Sequence, residues 1–266
     1  MSSAGRESLP PARLPASAAI SDAIVIARRN LLTIIRTPQL LVFSTIQPVM
    51  FVLLFRYVFG GAINVPTKNY ASFLLPGVFV QTVVFGSTTA AVALAYDLKG
   101  GIVDRFRSLP MARSAVLAGR TAADAVRNLF VITLIVVVGY AVDFRFQGGA
   151  LAAIGAMAIA LLFGYAFSWF FALVGMLVKD PETAQVAGFV PLFPFVFASS
   201  IFVSPASMPS WLRAFAEHQP VSYVANAVRG LSLGTATTSD VITALLWIAG
   251  MLLVFAPLAT WRYRKG

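Results

Sequence analysis

The sequence predicts an all-α integral membrane protein with six transmembrane helices, preceded by an amphipathic helix at the membrane surface. Three observations support this fold class. Hydrophobic residues make up 59% of the chain and charged residues only 11%, whereas soluble proteins carry about 25% charged residues. Apolar runs recur at lengths near the roughly 20 residues that a helix needs to cross a bilayer. Lys and Arg concentrate in alternate connecting segments, as the positive-inside rule requires.

The N-terminal part divides into two segments ahead of the first span. Residues 1–18 are rich in Pro, Ser and Ala and lack the apolar centre of a signal peptide, so we predict a short disordered lead. Residues 19–37 combine apolar positions with Arg28, Arg29 and Arg36, which is typical of a basic amphipathic helix lying on the inner leaflet. A cytosolic extension of the first span remains the alternative.

Six apolar runs then form the predicted transmembrane domain, residues 38–266. The runs cover residues 40–60, 73–96, 122–142, 150–178, 186–203 and 241–261. Pro191 and Pro194 predict a bend in the fifth run, because proline removes a backbone donor and clashes with the preceding turn.

Charge sets the orientation of these spans. With the N-terminus in the cytoplasm, fifteen of the twenty Lys and Arg residues fall in inner segments. Only Lys68, Arg145, Arg213 and Arg229 fall in outer segments. Both termini are therefore predicted to be cytoplasmic. This distribution also explains the net charge of +10 without nucleic-acid binding.

Two further segments have distinctive patterns. In the fourth span, small residues recur every fourth position, which predicts close packing against another helix. They are Ala152, Ala156, Ala160, Gly164 and Ser168. After the fifth span, the outer segment 204–233 holds aromatic residues such as Trp211 and Phe215 that do not suit a solvated loop, so short helices dipping into the outer leaflet are predicted.

The sequence offers little catalytic chemistry. None of its four lysines lies in a phosphate-binding loop of the form GxxxxGK[ST], so ATP binding by that motif is excluded. There is no Cys, and the single histidine, His218, beside Glu217, does not define a site. No catalytic residue and no metal ligand is predicted. Asp124 is the one acid near a span interior. Two interpretations of it are open: an ion pair with Arg127, or a role in a proton relay.

The inner segment 97–113 between the second and third spans combines charged and apolar residues. After a Gly-Gly turn, Ile102, Phe106 and Leu109 share one face of a short helix that Pro110 ends. Such a helix fits a groove on a partner protein. A positively charged loop without a partner is the alternative.

The chain resembles the permease subunits of type-2 ABC exporters, most closely the daunorubicin-resistance group. The resemblance covers about residues 20–265 and rests on the six spans and three stretches: "GGIVDRFRSLPMARSAVLAGR", "LLFRYVFGGAI" and "QPVSYVANAVRGL". It implies a coupling helix in the inner segment 97–113 and re-entrant helices in the outer segment 204–233.

The resemblance also implies partners and contact residues. A homodimer of permeases in a bacterial cytoplasmic membrane would work with two ABC ATP-binding subunits, which hold the ATP and Mg, while this chain binds no cofactor. The substrates would be amphipathic drugs, polyketides or lipids. The expected ATPase-coupling residues are Gly101, Ile102, Asp104, Arg105, Phe106, Arg107, Leu109, Pro110 and Met111. A second expected contact is formed by Arg28, Arg29 and Arg36.

Other function classes stay open on the residues alone. They are an ion-coupled secondary carrier, a membrane-embedded enzyme and a membrane scaffold that transports nothing. The substrate path is expected along spans one, two and five, without individual residues being predicted.

Overall fold

The computed structural model describes residues 16–36, 38–60, 67, 70–101, 113–178 and 180–265. Within these ranges the chain is all-helical and contains no strand. The α-helices are α1 Ala16–Arg36, α2 Pro38–Leu54, α3 Tyr70–Lys99, α4 Arg113–Ala141, α5 Gly149–Val178, α6 Pro181–Phe197, α7 Ser210–Glu217, α8 Pro220–Leu233 and α9 Thr238–Lys265.

Among the residues that the structure describes, four helices, α3, α4, α5 and α9, are long and apolar enough to cross a membrane. The first predicted span corresponds to α2 and one following π-helical turn, Phe55–Phe59, and the fifth corresponds to α6. As α-helices, α2 and α6 have 17 residues each, at the lower limit of the range of about 17 to 25 residues for a spanning helix. The structure therefore supports a multi-pass membrane protein, and the count of six crossings stays a prediction.

Helix α3 is the centre of the bundle. In its most apolar stretch 72% of the residues are buried, against 17% for α9 at the periphery. The closest partner of α3 is α5, where a Cβ added to Gly164 would lie 2.7 Å from Cβ of Val83. Ser87 ties the same two helices, since its hydroxyl lies 2.8 Å from the carbonyl oxygen of Gly164. Because Gly164 has no side chain, the backbones of α3 and α5 can approach each other closely.

Several helix ends differ from the predicted boundaries. Helix α4 begins at Arg113 rather than at residue 122. Polar or small residues ahead of residue 122 contact other helices, since Gly119 lies against α1 and Arg120 pairs with Asp97 of α3. Helix α6 begins at Pro181 rather than at residue 186, since Asp180 caps its N-terminus and proline suits the first helical position. It runs through Pro191 and Pro194 and ends at Phe197. Residues 97–99 of the predicted coupling segment belong to α3.

The segment that follows α6 contains a short 3₁₀ turn, Pro205–Ser207, and then α7 and α8. Gln219, between α7 and α8, donates from Nε2 to the carbonyl oxygens of Phe195 at 2.8 Å and Ala198 at 2.7 Å. These carbonyls lie at the C-terminal end of α6, where backbone carbonyl groups have no hydrogen-bond donor within the helix. The outer segment is therefore joined to the end of α6, and its depth in a membrane stays a prediction.

Candidate functional site

A cavity lies in the half of the bundle that contains the end of α3 and the start of α4, hereafter the inner half. Helices α1, α2, α3, α4 and α6 line it, and its volume is about 580 Å³. Small-molecule sites in proteins measure about 300–1,000 Å³. The cavity is therefore large enough for a drug-sized amphiphile.

The lining of the cavity follows from helical spacing in the sequence. Gln81, Phe85 and Thr89 are each four residues apart on α3, and Asp124 and Asn128 are four apart on α4. Residues at this spacing share one face of a helix. Facing helices thus present a polar strip flanked by aromatic and aliphatic side chains.

Asp124 and Arg127 form an ion pair on this strip, with Nη1 of Arg127 3.6 Å from Oδ1 of Asp124. The same nitrogen donates to the hydroxyl of Thr89 at 2.9 Å, and Nη2 donates to the carbonyl oxygen of Gly86 at 2.6 Å. The Thr89 hydroxyl donates to Oδ1 of Asp124 at 3.3 Å. Of the two interpretations open from the sequence, the structure contains the ion pair, and it links α4 to α3.

Three side chains in the lining of the cavity each carry one oxygen atom without a hydrogen-bond partner. Within the ranges that the structure describes, Oε1 of Gln81, Oγ1 of Thr82 and Oδ2 of Asp124 have no hydrogen-bond partner, although each residue is at least nine-tenths buried. Buried polar atoms are satisfied in the large majority of native structures, by protein, water or ligand. Nδ2 of Asn30, which also lines the cavity, is an unpartnered donor within the same described ranges, so residues of the lining carry both unsatisfied donors and unsatisfied acceptors, all closed to solvent.

Two ion pairs join the inner end of α3 to its neighbours. Nη1 of Arg120 on α4 pairs with Oδ2 of Asp97 on α3, and both side chains are largely buried. Nζ of Lys99, the last residue of α3, lies 3.1 Å from Oδ1 of Asp180. A displacement of the end of α3 would thus be transmitted to α4 and to the start of α6.

Asp180 also caps α6. Its Oδ2 accepts from the backbone N–H of Thr183 and from the Thr183 hydroxyl, each at 3.1 Å. These bonds, with the one from Lys99, stabilise the carboxylate, so the pKa of Asp180 lies below its ordinary value. The carboxylate is therefore ionised at neutral pH, and the pair with Lys99 is intact there.

The expected ATPase-coupling residues begin directly after this pair, at Gly101. Gly101 is exposed and adopts a φ of +68°, a left-handed conformation that favours glycine. The remaining predicted coupling residues lie outside the described residues: Ile102, Asp104, Arg105, Phe106, Arg107, Leu109, Pro110 and Met111. The flanking helices α3 and α4 are described, and Asp97 and Arg120 hold them together.

Helix α1 packs against the first turns of α4. Ile26 is buried there, and a Cβ added to Gly119 of α4 would lie 2.4 Å from the carbonyl oxygen of Ala23. Arg28, Arg29 and Arg36 are exposed. One face of α1 is thus fixed to the bundle while the arginines face outward.

The small residues of α5 lie where α5 meets its neighbours. Ala156, Ala160, Gly164 and Ser168 are buried, and Ala152 is half-buried. None of the five lines the cavity described above.

Arg229 lies in the interior, although its place in an outer segment suggests an exposed cation. It is 9% exposed. Its Nε donates to the carbonyl oxygen of Phe73 at 2.9 Å, and Nη2 donates to that of Ser200 at 2.7 Å. The guanidinium also lies 3.8 Å from the centre of the Phe73 ring. Arg229 therefore holds α8 against the start of α3 and the segment after α6.

Metal ligation and hydrolysis find no support among the described residues. They contain no group of three His, Asp or Glu side chains that could hold a metal ion. His218 is exposed, and its Nδ1 lies 2.8 Å from the carbonyl oxygen of Ala214. Glu217 instead pairs with Arg213 at 2.8 Å.

Sequence reasoning missed several of these functional contacts. Two polar residues eight positions apart in the second span, Gln81 and Thr89, share one helix face and were a usable signal for the cavity. The ion pairs Asp97–Arg120 and Lys99–Asp180 join residues far apart in the chain. No local sequence pattern indicates such pairs.

Comparison with known proteins agrees with this architecture. Residues 22–233 match the family described as ABC-2 type transporter. The chain is 37% identical over 255 residues to the daunorubicin resistance ABC transporter permease protein DrrB1 of Streptomyces coeruleorubidus, covering 96% of this chain and 89% of the relative.

More distant relatives have similar names. The probable doxorubicin resistance ABC transporter permease protein DrrC of Mycobacterium tuberculosis is 27% identical, over 94% of this chain and 93% of its own. The putative transport permease ycf38 of Cyanophora paradoxa is 24% identical, over 80% of this chain and 74% of its own. With the family match spanning most of its length, this chain is a membrane permease that belongs to the ABC-2 type transporter family.

Proposed function

We propose that this chain is the transmembrane subunit of an ABC exporter that moves amphipathic compounds through the inner-half cavity, driven by ATP hydrolysis in a separate protein. The names of its relatives refer to daunorubicin and doxorubicin resistance. Drug-like or polyketide compounds are therefore the first substrates to test, with lipids as a second class.

One observation carries this proposal: a continuous set of contacts connects the predicted coupling segment to the cavity. The segment lies between α3 and α4, and the Asp97–Arg120 pair joins these helices at its two ends. The Lys99–Asp180 pair adds α6. The same three helices line the cavity. A push on the segment would therefore change the shape of the cavity.

The expected assembly is two copies of this permease and two ATP-binding subunits in a bacterial cytoplasmic membrane. Each ATPase would hold the ATP and Mg and contact the segment from Gly101 to Met111, with α1 as a second contact. In this arrangement the six predicted spans have both termini in the cytoplasm. The outer helices α7 and α8 would re-enter the outer leaflet and close the outer end of the pathway.

The test of coupling reverses two cations of the segment in Arg105→Glu/Arg107→Glu. The permease is purified with the ABC ATPase that copurifies with it and is reconstituted in liposomes. Stimulated ATP hydrolysis and ATP-dependent export of a daunorubicin-like amphiphile are then measured. We expect both to fall severalfold with membrane insertion unchanged, because the charged face that meets the ATPase has been inverted.

The matched control is Arg264→Glu/Lys265→Glu. It reverses two cations on the same predicted side of the membrane, at the C-terminal end of α9 and outside the predicted coupling segment in the sequence. The two double variants change net charge equally, so a topological effect would appear in both. Normal stimulation by the segment variant contradicts the coupling role. Export that needs an ion gradient and no ATPase would indicate a secondary carrier instead.

A further inference from the structure

We propose that one face of α1 binds the phosphate groups of anionic phospholipids in the inner leaflet. This face, hereafter the arginine face, consists of five exposed residues: Val25, Arg28, Arg29, Leu32 and Arg36. Each lies three or four positions from another member of the set, so the five share one side of the helix. The proposal uses the predicted topology, with α1 on the cytoplasmic side, and does not depend on transport.

The opposite face of α1 holds the helix against the bundle. Ala23, Ile26 and Asn30 share that face at spacings of three and four residues. Ile26 is 3% exposed, and Asn30 lines the cavity. The carbonyl oxygen of Ala23 lies 2.4 Å from the position that a Cβ on Gly119 of α4 would take. Since α1 is packed this closely on one side, the arginine face points away from the bundle.

The place of α1 in the chain puts the arginine face at the predicted membrane surface. Helix α1 ends at Arg36, and α2, which corresponds to the first predicted span, begins at Pro38. On α2, Val42, Ile46 and Met50 are exposed at four-residue spacing and form an apolar face. Arg36 therefore lies where the chain is predicted to enter the bilayer, beside a surface suited to acyl chains.

The residue types of the arginine face suit the boundary between acyl chains and head groups. Val25 is 60% exposed and Leu32 is 39% exposed, although burial of such aliphatic side chains away from water is favourable. Arginine side chains lay their methylene groups along apolar surroundings and keep the guanidinium in the polar layer. Guanidinium N–H groups donate in pairs to phosphate oxygens. A phospholipid offers both an acyl chain and a phosphate to this face.

The charge of α1 favours anionic head groups over zwitterionic ones. The helix carries three arginines and a single acid, Asp22. A zwitterionic phosphatidylcholine head group brings its own ammonium, which repels arginine, whereas phosphatidylglycerol has a net negative charge. Basic residues on amphipathic helices are attracted to anionic leaflets for this reason. The same arginines are the expected second contact of the ATPase, so the experiment has to separate the two partners.

Quenching by spin-labelled lipids measures which head group occupies the arginine face. The chain has no cysteine, so Leu32→Cys provides a single site for a bimane fluorophore between Arg28 and Arg36. The labelled permease is reconstituted without the ATPase in phosphatidylcholine vesicles. These vesicles contain either phosphatidylglycerol or phosphatidylcholine with a spin label near the top of one acyl chain. The ratio of the two quenching curves gives the relative affinity of the face for the anionic lipid.

The arginines are tested in Arg28→Gln/Arg36→Gln. Both side chains are exposed, so the melting temperature is expected to match that of the labelled parent. Arg29 is kept, because its Nη2 donates at 3.3 Å to a residue of the cavity lining. The matched control, Arg264→Gln/Lys265→Gln, removes the same charge on the same predicted side of the membrane and lies outside α1.

The labelled parent should prefer phosphatidylglycerol about fivefold to thirtyfold. Attraction to an anionic surface corresponds to about fivefold in affinity for each Lys or Arg near it, and the fluorophore reports on one or two arginines. The preference should be at least about fivefold smaller in Arg28→Gln/Arg36→Gln and unchanged in the C-terminal control.

Equal quenching by the two lipids in the labelled parent would overturn the proposal. A preference that survives Arg28→Gln/Arg36→Gln, or one that falls equally in the control, would also overturn it, since the lipid would then respond to charge elsewhere. An absent lipid preference, with ATPase stimulation lost in Arg28→Gln/Arg36→Gln, would assign these arginines to the ATPase instead. ATP-driven export by the parent permease with its ATPase reports separately on the proposed function, which can hold when this inference fails.

Discussion

Replacing Arg229 by methionine removes a guanidinium that joins α8 to the start of α3 and to the segment after α6. Four of its hydrogen bonds reach Phe73, Asn226, Ser200 and Ile201, at 2.7 to 3.3 Å. The bond to Asn226 stays within α8, and the one to Ile201 is long. The bonds to Phe73 and Ser200 therefore contribute most to holding α8 in place.

Hydrogen bonds to charged groups contribute about 1.5–3 kcal/mol each, so these two amount to about 3–6 kcal/mol. Methionine also avoids the cost of burying a cation that has no carboxylate partner among the described residues, which offsets part of the loss. We expect docking of the outer segment to weaken by about 2–3 kcal/mol after this offset.

Arg229→Lys is the control for charge. Lysine keeps the buried cation, but its ammonium presents three donors at a single point and lacks the planar fork that reaches separated carbonyls. It also loses the stacking on the Phe73 ring. We therefore expect lysine to weaken docking more than methionine does.

The assay uses the absence of cysteine from the chain. Ala225 of α8 is fully buried, so Ala225→Cys reacts with a maleimide only when the segment opens. A loss of 2–3 kcal/mol predicts labelling about thirtyfold to a hundredfold faster in Arg229→Met, at 1.4 kcal/mol per factor of ten. Ser210→Cys, at an exposed position, should react equally fast in every background.

Two results would refute this reasoning. Labelling at the parent rate in both Arg229 variants would show that apolar packing alone holds the segment. Slower labelling in Arg229→Lys than in Arg229→Met would show that positive charge matters more than the geometry of the guanidinium.

Three further predictions concern packing, coupling and pH. Gly164→Ala should lower thermal stability in detergent by about 1–3 kcal/mol, because its Cβ meets a valine of α3 at 2.7 Å. Gly155→Ala in the same helix, where the nearest atom is 3.8 Å away, should have little effect, and equal losses would contradict the packing argument. Asp97→Arg and Arg120→Asp should each reduce ATP-driven export, and the double variant that exchanges the two charges should recover part of it. A double variant that exports no better than either single variant would show that this ion pair has no role in coupling. The lowered pKa of Asp180 means that its carboxylate stabilises the fold above the ordinary Asp pKa and loses this effect as pH falls through the folded-state value. The melting-temperature difference between the parent and Asp180→Asn should thus be constant from pH 5 to 8 and shrink below about pH 4, and a difference that does not shrink as pH falls below about 4 would contradict this sign.

The helical membrane architecture could be predicted from the sequence because it depends only on amino-acid composition and on the length and spacing of the apolar runs. Apolar runs predicted all four long membrane helices, and the outer segment 204–233 does contain helices, as its aromatic residues suggested. The predicted helix boundaries were less accurate where a polar helical turn contacts another helix in the structure. The start of α4 is an example, since Arg120 finds Asp97 on another helix.

The sequence by itself determined that the chain is a membrane protein of helical spans and that it lacks a phosphate-binding loop of the form GxxxxGK[ST]. The concentration of its cations on one side of the membrane stays a prediction. Only the tertiary structure decided which polar side chains matter. Arg229 was counted among outer cations and instead lies buried on backbone carbonyls. Gln81, Thr82 and Asp124 come together because two helices face each other across a cavity. The physical reason is that hydropathy and charge are properties of neighbouring residues, whereas a cavity, a buried cation and an ion pair between helices depend on contacts between distant parts of the chain.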